Sequence, residues 1–418
     1  YDTLTRSELI LRIKTLENQL AKKSPSTRKF LKQEKPFDIT KYGQQRIAIK
    51  VAYLGWNYYG FATQSNEKTY PTVEDQLFKA LEKCRLIHHR DDCDYSRCGR
   101  TDKGVSGLGQ VIALNIRSTN KKLDPSLQQQ QQQNNVNFTP RYIGILNKTL
   151  PPDIRILAWA PVDATFNARF DCKSRTYKYF FQRGSLDIDL MRRAADYCVG
   201  LHDFRNFCKL DPAKNITSYE RRILSFDINP VQEGGEDLYE VKLKGSAFLW
   251  NQVRCIMAIL FLVGQKLESP EVMKDLLDVE KVPAKPQYAI AHSLPLVLYD
   301  CEYEKKIDWI YIDGTKDDTH NLITPLNTYR LFHEMWEKHA IHSILFKTFF
   351  KQIEQFPISS LDKRILLKDD LHKDGRISML LGAGTEYRTR HYVKLLDRPR
   401  VDSHEVKTEK YRLKMNNK

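Results

Sequence analysis

The sequence predicts an α+β protein in which two layered subdomains share a sheet and leave a cleft between them. Three observations predict it. Strand-like runs at 46–53, 110–116 and 238–248 are interspersed with segments of helical spacing at 72–81, 185–199 and 250–264. At 418 residues, 41% of them hydrophobic, the chain can bury a large core. No run approaches the ~18 apolar residues that cross a bilayer, so no membrane partner is expected.

The elements follow in order. Thr5-Arg-Ser-Glu8 fits a capping box, and Leu9, Ile13, Leu16 and Leu20 recur at 4-3-4 spacing, so 4–22 reads as a short amphipathic helix. About two heptads suit a helix lying on the protein's own surface better than a coiled coil. Residues 23–45 are basic, polar and broken by Pro25 and Pro36, which makes them a linker. The strands 46–53 and 110–116 flank a helix beginning at Thr72. Residues 118–137, with Gln128 to Gln133 in succession, read as a disordered insertion. After Leu150-Pro151-Pro152 come a strand and then a second at Tyr177 to Gln182. Ser185 to Val199 is helical through Met191, Ala194, Ala195 and Cys198, and Gly200 to Phe207 reads as a loop. Residues 238–248 alternate, 250–264 form a helix with an almost wholly apolar face, and a last helix opens at Tyr329 and runs toward Gln352. This divides the chain into a basic helix and linker (1–45), a subdomain carrying the Asp102 loop (46–160), a second subdomain completing the cleft (161–303), and a helical extension with a basic tail (304–418).

Charge narrows the partners. The net charge is +15, and it is concentrated at the ends: residues 1–50 hold 12 Lys/Arg against 5 Asp/Glu, and residues 371–418 hold 12 against 6. Release of counterions from a phosphate backbone favours such basic segments, which are expected to grip RNA outside the site itself. Eight cysteines are sparse, and no Cys-x-x-Cys or His-x-x-x-His pair is present. They read as buried thiols in a reducing compartment, with no metal implied and no secretory leader expected. Gly107-Leu-Gly109 and Gly382-Ala-Gly384 lack a dinucleotide-fold context, His88-His89 has no ligand partners at useful spacing, and no Gly-x-Ser-x-Gly elbow occurs.

The densest chemistry lies in Arg97-Cys-Gly-Arg100-Thr101-Asp102-Lys103-Gly104-Val-Ser106. One carboxylate stands among Arg97, Arg100 and Lys103, which are expected to keep it ionised. Gly99 and Gly104 permit sharp turning and close approach to a ligand. The strand that follows places Asp102 on a loop entering a sheet, where catalytic groups concentrate.

This segment resembles the signature of the TruA family of tRNA pseudouridine synthases, Gly-Arg-Thr-Asp-x-Gly-Val. The resemblance extends in order through Ile47 to Gln64, Thr72 to Leu81, Phe166-Asn-Ala-Arg169-Phe170 with Arg175-Thr-Tyr177-Lys-Tyr179, and Ala247 to Arg254 running on to Gly264, covering about 46–303. It implies the pseudouridine synthase fold, a long mixed or antiparallel sheet with a basic central cleft. Asp102 would act on the sugar, as nucleophile at C1′ or as base at C2′. Tyr177 would stack on the uracil, and Arg254 would pair with Asp102. Arg100, Thr101, Lys103, Arg169 and Arg205 would contact RNA. The reaction needs no cofactor. Cys98-Gly99, Ser106, Asp203 to Asp211 and Phe248 to Arg254 resemble the eukaryotic branch acting at positions 38 and 39 of the anticodon stem-loop, and the glutamine run suggests a fungal source. The resemblance further implies tRNA as partner, a homodimer, and residence in nucleus and cytoplasm. Two rivals are a related synthase for other stem or small nuclear RNA uridines, and a non-catalytic tRNA-binding factor.

Overall fold

The computed structural model describes residues 5–23, 38–64, 69–121, 141–210, 216, 218–232, 237–313, 323–355 and 376–416. The chain divides into two compact units, Tyr1–Lys41 and Tyr42–Lys418. In the first, α1 (Arg6–Lys23) begins with the Glu8 half of its capping box: the Thr5 backbone N–H donates to Glu8 Oε2 at 2.7 Å, and the Thr5 hydroxyl donates to the same oxygen at 2.6 Å. Its Ile13 and Leu16 are exposed.

The second unit is built on a nine-stranded sheet of order β4-β1-β3-β9-β5-β8-β7-β6, with β2 also on β3. One antiparallel half comprises β1 (Tyr42–Tyr53), β2 (Ser96–Arg97), β3 (Ser106–Lys121) and β4 (Ile154–Pro161). The other comprises β5 (Cys172–Gln182), β6 (Gly200–Asp203), β7 (Glu220–Pro230), β8 (Leu238–Gly245) and β9 (Leu296–Tyr303). The halves meet in a short parallel step, Ser106 opposite Val297 and Gly107 opposite Leu298. Glycine is required there. A Cβ on Gly107 would fall 2.7 Å from the Tyr53 ring, and one on Gly109 would fall 2.5 Å from the Tyr299 carbonyl oxygen.

Each half has its own core. α2 (Val73–Lys83), capped by the Thr72 hydroxyl accepting from the Asp75 N–H, packs Leu77 and Leu81 against Ile47, Ile112 and Leu114, with α3 (Tyr142–Asn147) beside them. On the other half, α4 (Ile188–Asp196), α5 (Gln252–Gly264) and α6 (Glu271–Leu277) enclose Tyr179, Phe204, Phe207 and Phe261. Every residue of α5 except Arg254 is buried, as expected of a helix apolar on nearly all sides.

Several elements differ from the sequence expectation. β1 and β3 extend to Tyr42 and Lys121, because pairs such as Gln44 with Arg117 satisfy the backbone whatever the side chains are. The glutamine run therefore lies beyond a longer strand; residues 122–140, like 24–37 of the linker, fall outside the described residues. The expected loop at Gly200 begins instead as edge strand β6, and the helix at 185–199 is confined to 188–196 by its Asp187 cap. Beyond α7 (Ile323–Glu354), β10 (Ile377–Gly382) and β11 (Thr385–Thr389) form a hairpin that no periodicity announced. Gly382, Ala383 and Gly384 turn it at φ of 85°, 51° and 71°. The chain then packs onto the core before α8 (His404–Asn416). Leu395 is fully buried, and its N–H and the Tyr392 hydroxyl donate to Glu268 Oε1 at 2.7 and 2.5 Å.

Leu395→Ala should therefore cost about 2–5 kcal/mol of stability, read as a lowered urea midpoint. A substitution costing nothing would mean that this segment does not contribute to the core.

Candidate active site

The Asp102 loop is the connection from β2 to β3, and backbone bonds fix it along its length. Cys98 N–H donates to Val111 O at 2.8 Å, and the Gln110 side chain exchanges two bonds with Gly99. The Thr101 carbonyl accepts from Phe61 N–H at 3.1 Å. Asp102 O accepts from Val105 N–H at 3.1 Å, closing the turn, and Gly104 N–H donates to Tyr58 O at 3.1 Å. Gly104 has φ +81°, and a Cβ there would also sit 2.7 Å from Ser293 Oγ. Gly60, at φ +105°, brings the Tyr58–Phe61 segment so close that a Cβ would lie 2.9 Å from the Thr101 carbonyl oxygen. The consequence is a half-exposed Asp102 on a backbone with little freedom.

The flanking residues divide into scaffold and surface. Thr101 is buried and its hydroxyl lies 2.8 Å from the Tyr53 hydroxyl, so it anchors the loop instead of facing RNA as expected. Arg97 pairs with the buried Glu74 of α2, which also accepts from Thr63 N–H at 2.9 Å. A buried carboxylate is costly without such partners, and that cost directs Arg97. Lys103 places its ammonium 3.7 Å from the centre of the Tyr59 ring. Arg100 and Arg169 are exposed, whereas Arg205 is held by Asp203, with its Nη2 at 2.8 Å from Oδ2.

Tyr177 lies in β5 between Leu243 of β8 and Leu298 of β9. Its ring meets Phe248 edge-on at 5.0 Å and 82°. Burial pushes its phenol well above the ordinary range, reinforced by Cys301, Tyr53, Cys98 and the Asp102 carboxylate. The phenol is therefore neutral near pH 7, and Asp102 lies within its electrostatic reach. Arg254 bonds two neutral acceptors. Its Nε donates to Ala291 O at 2.8 Å and its Nη1 to Asn251 Oδ1 at 3.0 Å. It stands in the first turn of α5, just after Asn251, whose backbone is left-handed with φ 62°.

Arg175 is the structural arginine of the site that spacing did not reveal. Its guanidinium donates to four carbonyls: Ser246 at 2.7 Å, Arg169 at 2.9 Å, Cys98 at 3.1 Å and Cys172 at 3.3 Å. It thus ties the start of the Asp102 loop to the 166–171 turn, β5 and the end of β8. The available signal was its place two residues before Tyr177, on the same strand face. Beneath it lie Cys98, Cys172 and Cys301, all buried. Hydrogen bonds from Cys172 and Cys301, and then the Arg175 charge, hold Cys98 well below the usual thiol range, while Cys172 is pushed up to about 12.

A family model described as tRNA pseudouridine synthase matches residues 194–304. The chain is 32% identical to tRNA pseudouridine synthase A of Methanosarcina barkeri over 265 residues, 63% of this chain and 87% of the relative. It belongs to the TruA family of tRNA pseudouridine synthases, which isomerise uridine within tRNA. Two eukaryotic relatives are more similar still. Identity to the tRNA pseudouridine(38/39) synthase of Bos taurus is 41% over 395 residues, covering 91% of this chain and 79% of the relative. Identity to the enzyme of the same name from Saccharomyces cerevisiae is 38% over 443 residues, covering 100% and 93%.

Arg175→Lys keeps the charge but loses most of the carbonyl bonds. It should lower stability by about 1–3 kcal/mol in chemical unfolding. A lysine variant as stable as the wild type would show that the fork of bonds is dispensable.

Proposed function

We propose that the chain converts uridines 38 and 39 of the tRNA anticodon stem-loop to pseudouridine, with Asp102 as the catalytic carboxylate. The observation that carries this reading is a half-exposed aspartate on a loop fixed by Gly60, Thr101 and Gly104, within electrostatic reach of a protonated Tyr177. The similarity to two eukaryotic (38/39) synthases supports the choice of positions.

The chemistry follows from what those groups can do. The target base leaves its stack at a cost of a few kcal/mol, offset by a pocket that holds it. Asp102 acts on the ribose at C1′ or at the C2′ hydrogen; both routes require a carboxylate beside the sugar and break the N1–C1′ bond. The freed uracil rotates against Tyr177 and rejoins through C5. The C5 proton is then lost and N1 gains one. No atom or electron is gained or lost overall, so the balance calls for no organic cofactor. Arg254, fixed by Asn251 and Ala291, supplies positive charge at the cleft. Exposed Arg100, Lys103 and Arg169 meet phosphates.

The functional unit in this reading is a homodimer joined through α7. This helix exposes Ile341, Leu345, Phe346, Phe349, Phe350 and Ile353 within its last four turns, more large apolar surface than a lone helix keeps in water. A self-complementary pairing of two such faces covers it with one symmetric contact.

Asp102→Asn should lower conversion by ~10³-fold or more while RNA affinity changes little, because phosphate contacts carry most of the binding. The check is pseudouridine mapping on unmodified tRNA alongside a filter-binding assay. Wild-type conversion by the variant would overturn the assignment, and conversion elsewhere than 38 and 39 would overturn the positions. Phe346→Glu with Phe349→Glu should shift the chain from dimer to monomer in analytical ultracentrifugation. A wild-type that sediments as a monomer would remove the dimer from this reading.

A further inference from the structure

Cys98, Cys172 and Cys301 are separated by 74 and 129 positions in the sequence, yet their sulfur atoms all lie within 4.8 Å of one another. Cys98 Sγ is 3.4 Å from Cys172 Sγ and 3.1 Å from Cys301 Sγ. The three come from separate places: the first residue of the Asp102 loop, the first residue of β5, and β9. We propose that they form a binding site for one soft, thiophilic metal ion, set directly under the catalytic loop.

Three observations support this. The donor set is all sulfur, which selects Zn²⁺ or Cu⁺ over the hard cations that carboxylates and carbonyls bind. The spacing is near that of a filled site: with metal–sulfur bonds of about 2.3 Å, tetrahedral ligand sulfurs stand about 3.8 Å apart, so the two Cys98 separations widen by about 0.4 and 0.7 Å to admit an ion. The charge is compensated from one side. Arg175 sits over the cluster, and all four of its hydrogen bonds go to carbonyls, none to a carboxylate. Three thiolates around a divalent ion leave one negative charge, which Arg175 balances. The charge count thus favours Zn²⁺, whereas a set of only three protein ligands favours Cu⁺; the shared chemistry is a trithiolate site.

The ion would cross-brace the two halves of the sheet. Cys98 belongs to the loop that leads into β3, while Cys172 and Cys301 belong to β5 and β9 of the other half. Binding there acts on the same joint that the Gly107 and Gly109 approach creates, and its effect should be felt as stability and as order in the Asp102 loop. As the cluster is buried, loading belongs to folding, and the ion is best supplied during refolding.

The test uses the full chain, refolded from denaturant under reducing, metal-free conditions with Zn²⁺ in one arm and Cu⁺ in acetonitrile in the other, then dialysed against a chelator. One ion per chain should remain in one arm, with a thermal midpoint raised over the metal-free chain. In the zinc arm, Co²⁺ substitution should give a sulfur-to-cobalt charge-transfer band. Cys98→Ser and Cys301→Ser should each weaken retention by about tenfold or more, while Cys84→Ser, outside the cluster, should not. Circular dichroism confirms that each variant is folded; because the wild-type stoichiometry stands by itself, a variant that fails to fold leaves the test intact. Failure of the wild-type chain to hold one equivalent in either arm overturns the proposal. So does equal retention by a folded Cys98→Ser chain.

Discussion

The structure depends on how closely β3 can approach β9. Two antiparallel half-sheets, each with its own core, become one sheet through the parallel pairs Ser106–Val297 and Gly107–Leu298. That contact is short, and a parallel register so brief gives few hydrogen bonds, so packing must hold it. The missing side chains of Gly107 and Gly109 make the packing possible, since a methyl group at either would strike Tyr53 or the Tyr299 backbone. The loop that carries Asp102 ends where this joint begins. Tyr177, on β5, reaches the same place from the neighbouring strand. A carboxylate from one half and an aromatic platform from the other can meet only if the joint is tight.

The charges around the loop show how the fold spends its cations. Of the three that surround Asp102 in sequence, Arg97 serves Glu74 and Lys103 lies over Tyr59. Arg175 serves four carbonyls. Arg97 thus holds a helix in position, and Arg175 holds backbone. A nearby charge counts only at a few ångströms and in the right direction. Arg254 is likewise held by neutral acceptors, Ala291 O and Asn251 Oδ1, which fix its direction without neutralising it.

The parts of the fold that periodicity could reveal are those whose side chains are sorted by burial. α2, α4 and α5 were legible because Leu77 and Leu81, Met191 and Ala194, and the apolar run from Cys255 to Val263 recur at helical spacing on buried faces. The ends of β1 and β3 were not, because Gln44, Gln45 and Arg117 pair through backbone and carry no pattern. The β10–β11 hairpin was hidden for a related reason: it is short, and its apolar contribution is concentrated in Met379 and in Leu395 beyond it. In the site, Asp102 and Tyr177 were found by motif. The inward turn of Thr101, the partner of Arg97 and the convergence of Cys98, Cys172 and Cys301 were not, since each depends on where segments far apart in the chain meet. Spacing arguments for metal ligands look for neighbours in sequence, and this trio has none.

The C-terminal hairpin is tied to Arg254 and to the Asp102 loop by a short relay. The His292 N–H donates to Leu381 O at 2.7 Å, and the Tyr179 hydroxyl lies 3.0 Å from His292 O and 3.3 Å from Leu381 O. One residue earlier, Ala291 exchanges bonds with Arg254, accepting from its Nε and donating to its backbone carbonyl at 3.1 Å. One residue later, Ser293 stands against Gly104 of the Asp102 loop. Three consecutive residues therefore touch the hairpin, the cleft arginine and the catalytic turn. A hairpin docked in this way restricts the 291–293 segment, and through it the relative placement of Arg254 and Asp102. The Met379 and Leu395 side chains supply the apolar burial that keeps it docked. A segment that would pass for a basic tail in the sequence thus supports the Asp102 loop, and its removal would loosen that loop from behind.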